Sequence, residues 1–315
     1  MKFSILIPAF KAKFLKECII SILNQTYRDF EIIIVNDASP ENLTSIVQSF
    51  NDTRIRYYIN KENCGAINVV DNWNKCLSYA KGDYILCMGD DDKLLPMCLE
   101  EYVNLINKFP KLGLYHSWTE IIDENSNIVM MQEPRPIYES VYSMMWCRWN
   151  GRLQYIGDFL FDRKILIANG GFYKLPLAWG ADDISSYIAA CNTGVANMQV
   201  PGFQYRISNR TISNTGNSEI KLKAIELEEK WYKSFLSHKP TNDIDCIFAN
   251  MLNKKLKKMI IKKIISTIVA DLANGNMIKI IKYYKYKKKY HLNFFMIGYI
   301  FIEILKHKKY NKYYN

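Results

Sequence analysis

The sequence predicts an α/β fold, a mostly parallel sheet with helices flanking both faces. Three observations carry that prediction. Short apolar runs alternate with helical periodicities over residues 3–108. The runs are nearly continuous in apolar residues, as expected of strands covered on both sides. Three of them lead into turn or polar residues, at Ala9–Phe10, Asn36–Asp37 and Asp90–Asp92, and ligands of such sheets bind beyond the carboxyl ends of the strands.

The elements follow in order. "FSILI" (3–7) is a strand ended by Pro8, and "LKECIISILN" (15–24) puts apolar side chains at 15, 18, 19, 22 and 23, a helical spacing. "FEIIIVNDAS" (30–39) is a second buried strand and its turn, 42–50 a helix, and "RIRYYI" (54–59) a third strand. Residues 65–82 form a helix with glycine at both ends, "YILCM" (84–88) a fourth strand, and 96–108 another helix. Beyond 112 the pattern loosens. "LGLYHSW" (112–118) is strand-like, and 123–155, rich in Tyr, Trp and Met, yields no assignment. A short strand, a short helix and a glycine pair occupy 159–172. A helix with an acidic start covers 179–194, and strand-like pieces broken at Pro201–Gly202 cover 195–208. A long amphipathic helix spans 219–238, and helical periodicity continues from 243. Two regions are expected, 1–217 and a helical, Lys/Tyr-rich 218–315.

Of the 315 residues 49% are hydrophobic and 23% charged, a globular composition able to bury a sizeable core. The eight cysteines are scattered without a C-x-x-C pair, which suggests free thiols in a reducing cytoplasm. The first apolar run is too short for a secretion signal before Pro8. The net charge of +11 is uneven: from residue 250 onward sixteen lysines face only Asp271 and Glu303, which leaves about −3 for the body. Such asymmetry points to an anionic partner surface.

"YILCMGDDDKLLP" (84–96) runs a buried strand straight into three carboxylates. Either a turn is very polar, or something positive holds the three together. In extended backbone Asp90 and Asp92 would share one direction and Asp91 the other. Two carboxylates so spaced suit Mg²⁺ or Mn²⁺, which leaves coordination positions for water and phosphate oxygens.

These stretches, with "SILNQTYRDFEIIIVNDAS", "NGGF" and "WGADD" in the same order, resemble a family 2 glycosyltransferase of the GT-A fold over the first ~215 residues. The resemblance implies an inverting hexosyl transfer from a nucleotide-sugar, most often a UDP-sugar, to an acceptor hydroxyl. It implies that Pro8, Ala9 and Phe10 border base and ribose, that Asp37 hydrogen-bonds them, and that Asp90–Asp91–Asp92 carry the D-x-D motif. Asp92, with Asp90, would hold the metal, and the Gly170–Gly171–Phe172 turn would line sugar and acceptor. Of the pair Asp182–Asp183 the second is favoured as general base, with Asp182 the alternative; read without the resemblance, the pair is equally a helix start with a favourable dipole contact. The chain departs from the family pattern at Lys11–Ala12, where relatives carry Asn-Glu, and at Ser208, where they carry His. Arg206 or Arg210 is then expected on the diphosphate, beside a closing loop at 208–218.

The tail places apolar residues at 252, 256, 259, 260, 264, 268 and 272 with lysines mostly opposite. The run 292–305 is too short to span a bilayer. A surface-lying anchor on an anionic membrane fits, as does an ordinary helical subdomain. The expected setting is the cytoplasmic face of the membrane, with a lipid-linked or polysaccharide glycan as acceptor. No nucleic-acid module is recognised, and neither the dinucleotide nor the P-loop glycine motif is present. A binding or scaffold protein without catalysis is the competing class.

Overall fold

A computed structural model of the chain describes residues 1–208 and 217–273, together with Tyr290, Met296, Gly298, Ile300, Ile302 and Glu303. Arg210, the segment 209–216 and most of 274–315 lie outside the described residues.

Strands β1 (Phe3–Ala9), β2 (Phe30–Asn36), β3 (Ile55–Ile59) and β4 (Tyr84–Cys87) pair in parallel in the order β3-β2-β1-β4. Their alternation divides the core in two. Ile5, Ile7, Ile32 and Ile34 pack with α1 (Leu15–Leu23), α2 (Leu43–Gln48) and α4 (Cys98–Lys108). Leu6, Ile33 and Val35 face the opposite way, toward α3 (Val69–Tyr79) and α5 (Val141–Trp149). Because both faces are covered, the strands read as unbroken apolar runs rather than alternating ones.

The sheet continues through β9 (Phe159–Asp162), antiparallel to β4 and to β6 (Leu114–Ile122). Beyond β6 lies β10 (Val195–Arg206), parallel to it and antiparallel to the short β5 (Lys93–Leu94). Two further strands, β7 (Ile128–Met131) and β8 (Tyr138–Glu139), pair with β6 and β10. The break expected at Pro201–Gly202 is instead a register irregularity inside one strand. A proline without an N–H is accommodated by a bulge that removes its ladder bond.

The stretch without an assignment contains α5, whose Ser140 hydroxyl accepts the Ser143 N–H. Its buried residues Val141, Tyr142, Met144, Met145 and Trp149 share one face, but Trp146 and Cys147 make the other side apolar as well, so no single stripe shows in the sequence. After it come α6 (Arg163–Ala168) and α7 (Ala181–Ala190).

The C-terminal helices α8 (Ser218–Leu236) and α9 (Asp243–Ala273) change the reading of the tail. Leu252, Leu256, Met259, Ile260, Ile264, Ile268 and Leu272 are all buried in the core cluster that holds α3, α5, α7 and α8. The stripe expected on a membrane is therefore spent on internal packing. Lys254, Lys257, Lys258 and Lys262 remain exposed on the other side. Among the described residues no helix is long and apolar enough to cross a membrane.

Candidate active site

The carboxyl ends of β1, β2 and β4 open into one cavity of about 1910 Å³. Pro8, Phe10, Asp37, Asp90, Asp91 and Asp92 line it, and so do Asp182 and Asp183. Residues far apart in sequence are thus gathered where strand order reverses around β1, as sheets of this kind require.

Asp37 is fixed rather than floating. Its N–H donates to the Ala9 carbonyl at 2.9 Å. Its Oδ1 accepts from Asn60 Nδ2 at 2.8 Å and from the Cys64 N–H at 2.9 Å. Ala9 itself is fully buried and absent from the cavity wall, so its part is to hold Asp37 rather than to border a ligand.

The acidic triplet is a turn, closed by the Asp92 N–H on the Gly89 carbonyl at 3.3 Å, so extended-strand alternation does not apply. Asp90 Oδ2 accepts the N–H groups of Phe10 and Lys11, each at 2.6 Å. Lys11 Nζ lies 3.6 Å from Asp90 Oδ1 and pairs with Asp91 Oδ2. Asp92 turns away from both, its Oδ1 accepting the Arg206 N–H at 2.9 Å and its Oδ2 the Gly89 N–H at 3.2 Å. Burial pushes the Asp90 carboxyl up to about 6 and lifts Asp92 well above the usual carboxylate range, with Asp91's charge adding to both. The positive partners demanded by three adjacent acids are therefore Lys11 and a set of main-chain N–H groups.

Asp90 Oδ2 is taken by two N–H groups, but Asp90 Oδ1 and both Asp92 oxygens keep lone pairs, so Asp90 and Asp92 fit Mg²⁺ or Mn²⁺ as one or two protein ligands. Among the described residues no group of three His, Cys, Asp or Glu side chains converges on a metal position. The remaining coordination would come from water and ligand oxygens.

Arg206 corrects the sequence expectation. Its side chain is fully buried and held over the Phe14 ring at 4.1 Å. It donates to the Asp91 carbonyl at 2.8 Å, the Asp123 carbonyl at 3.0 Å and Glu17 Oε2 at 3.0 Å. Arg206 belongs to the cavity wall, and its guanidinium spends its donors on protein oxygens that brace the acidic turn.

Gly171 is a second correction. With φ +87° it occupies left-handed backbone, and a Cβ there would lie 2.3 Å from Asn74 Oδ1. Asn74 brackets the turn, accepting the Phe172 N–H at 2.8 Å and donating to its carbonyl at 3.0 Å. The NGGF turn docks on α3 and is not part of the cavity wall.

At the head of α7, Gly180 is left-handed at φ +88°, and a Cβ there would meet the Glu228 carboxylate at 3.1 Å. Asp183 is buried, and Arg148 Nε donates to its two oxygens at 2.9 and 3.2 Å. Gln154 Nε2 adds a bond to Oδ1 at 2.7 Å. Asp182, half-buried, is raised to about 7 by desolvation and by the neighbouring Asp183 charge. Tyr155 and Tyr205 stack at 4.0 Å, and Asp92 and Asp182 both push the Tyr205 phenol up, after burial itself. The two carboxylates thus act on one aromatic pair in the cavity. From α9, Met259, Lys262, Lys263 and Thr267 complete the wall.

Sequence reasoning missed Arg148, Gln154 and Tyr155, because they belong to the stretch without periodicity. Lys11 was noted only as a departure, although three adjacent acids were signal enough to seek a cation.

The fold and the cavity together define a GT-A architecture with a carboxylate-rich cleft at its strand ends. Residues 4–172 match the model of glycosyl transferase family 2, and the chain belongs to that family. Similar proteins include an uncharacterized glycosyltransferase of Methanocaldococcus jannaschii, 37% identical over 126 residues, 39% of this chain and 42% of that one. Another, from Rickettsia prowazekii, is 33% identical over 168 residues, 51% of each chain. A third is the GalNAc(5)-diNAcBac-PP-undecaprenol beta-1,3-glucosyltransferase of Campylobacter jejuni, 34% identical over 110 residues, 34% of this chain and 35% of that one. The chain thus spans about half or less of the length of these relatives. Among solved structures, S. aureus TarS 1–349 in complex with UDP-GlcNAc superposes with a TM-score of 0.64 at 14% identity, covering 87% of this chain and 82% of that one. That likeness establishes the fold.

Proposed function

We propose that the chain transfers a hexosyl group from a UDP-sugar to an acceptor hydroxyl, with inversion at the anomeric carbon. One observation carries the reading: a single cavity takes in Asp37 and Asp90–Asp92, suited to a nucleotide diphosphate, and a separate acidic pair, Asp182–Asp183. Pro8, Phe10 and Asp37 bind base and ribose. Asp92 and Asp90 would hold Mn²⁺ or Mg²⁺, which when bound would supply positive charge to the departing diphosphate.

Asp182 is the general base. It faces the cavity half-exposed, and a proton affinity near neutrality suits proton removal at physiological pH. It accepts the acceptor hydroxyl proton as that oxygen bonds to the anomeric carbon. The bond from that carbon to the diphosphate oxygen breaks on the opposite side, hence inversion. Asp183, with its oxygens engaged by Arg148 and Gln154, positions the turn that presents Asp182.

The acceptor is a lipid-linked or polysaccharide glycan, met at the inner face of the cytoplasmic membrane. The Campylobacter relative's name, a glucosyltransferase acting on an undecaprenol-linked glycan, supports that class. The exposed lysines of α9 would meet anionic headgroups. In this scheme residues 1–217 bind donor, and 218–315 complete the acceptor side.

Calorimetric titration of UDP, GDP, CDP and dTDP with and without Mn²⁺ tests the reading. UDP binding strengthened by Mn²⁺, and hydrolysis of a UDP-sugar, are expected. Failure of all four nucleotides to bind would overturn it.

A further inference from the structure

Lys11 touches the acidic turn twice. Its N–H donates to Asp90 Oδ2 at 2.6 Å, and its ammonium lies 3.6 Å from Asp90 Oδ1 while pairing with Asp91. The side chain is 29% exposed on the cavity wall, so the ammonium has room to leave. Among the described residues, Arg206 also bonds to the turn, and its charge is paired with Glu17. Three carboxylates thus share a single ammonium, which leaves oxygens of Asp90 and Asp92 for a second cation.

From these contacts we propose that Lys11 is the resident counter-cation of the triplet and competes there with the divalent metal. The inference rests on the donor-site reading above. A metal arriving alone must displace the ammonium from Asp90 and meets that like charge, still paired with Asp91, at short range. A metal arriving with a diphosphate brings that ammonium a new anionic partner. Lys11 therefore couples metal to nucleotide: each strengthens the other, and the coupling is reciprocal. The free site holds little metal, and the nucleotide complex holds it firmly.

The experiment measures Mn²⁺ binding to the full chain by the electron spin resonance of free Mn²⁺, without nucleotide and with saturating UDP. Wild type, Lys11→Gln and Lys11→Arg are compared. Without nucleotide, Lys11→Gln is expected to bind Mn²⁺ on the order of tenfold more tightly than wild type, since a like charge beside the site is gone. The enhancement by UDP is expected to shrink in Lys11→Gln and to persist in Lys11→Arg. Equal or weaker Mn²⁺ binding by Lys11→Gln, or no detectable binding by either protein, overturns the inference. Should Lys11→Gln fail to fold by circular dichroism, Lys11→Met carries the same comparison. Absence of UDP binding in every protein would strike the donor reading instead, since the nucleotide-free comparison reports on Lys11 by itself.

Discussion

Arg148 Nε donates to both carboxylate oxygens of Asp183, at 2.9 and 3.2 Å, and Asp182 beside it is the member of the pair left half-exposed in the cavity. The expected consequence is a division of labour. Asp182→Asn should keep UDP affinity and lower the transfer rate by about 10²–10⁴. Asp183→Asn should lower stability as well as rate, because Arg148 would lose its buried partner. A rate loss confined to Asp183→Asn would return the base to that residue.

The same pair governs pH dependence. With the Asp182 carboxyl at about 7, the rate should rise through neutrality and level off above it. Its folded-state proton affinity exceeds the ordinary carboxylate value. Protonation therefore stabilises the fold, and that stabilisation fades as pH rises through about 7. Asp182→Asn should then exceed wild type in stability by about 1–2 kcal/mol at pH 8, after discount for partial exposure. The difference should vanish toward pH 4, and denaturant melts at the two pH values read it.

Gly171 gives a steric prediction. Alanine there combines left-handed strain with a clash against Asn74, costing roughly 2–4 kcal/mol. A lowered melting temperature with unchanged UDP affinity in the cold is expected. A selective loss of donor or acceptor affinity at unchanged stability would return the turn to the substrate site.

Arg206→Met should lose about 2–4 kcal/mol and weaken Mn²⁺-dependent UDP binding, because the guanidinium bonds to the Asp91 and Asp123 carbonyls and to Glu17 are lost, while the main-chain N–H on Asp92 remains. Urea melts separate this from direct diphosphate contact, which would cost affinity and leave stability intact.

For the tail, truncation after residue 242 removes α9 and uncovers the core it fills, so an aggregating product is expected. The informative variant replaces Lys254, Lys257 and Lys258, which lie off the cavity wall, by Gln in the full chain. Its sedimentation with phosphatidylserine vesicles should fall, at about 1 kcal/mol per lysine near the surface. Unchanged sedimentation would remove the membrane reading of that face.

The first half of the fold was legible because parallel strands buried on both faces leave uninterrupted apolar runs, as in β1 and β2. The polar ends of those strands marked Asp37 and Asp90–Asp92 for the same reason. The acidic turn misled at finer scale: alternation holds for extended backbone, and these residues curl to meet Lys11 and Arg206. Arg206 was legible as a charge but not through its partners, Glu17 and the carbonyls of Asp91, Asp123 and Glu124, because sequence shows no contacts. α5 stayed hidden since its apolar side chains surround the helix. The amphipathic stripe of α9 was read correctly as a stripe, but periodicity does not say whether lipid or protein will cover it.

Helix α9 fills the core with Leu252 to Leu272 and rims the cavity with Lys262 and Lys263. No seam separates the part that keeps the molecule folded from the part that would greet an acceptor. Exchanging the last third of the chain for that of a relative would disturb the scaffold along with the choice of partner. A new preference on that side must arise through single replacements on the outward turns of one helix, while the nucleotide half can be inherited as a block.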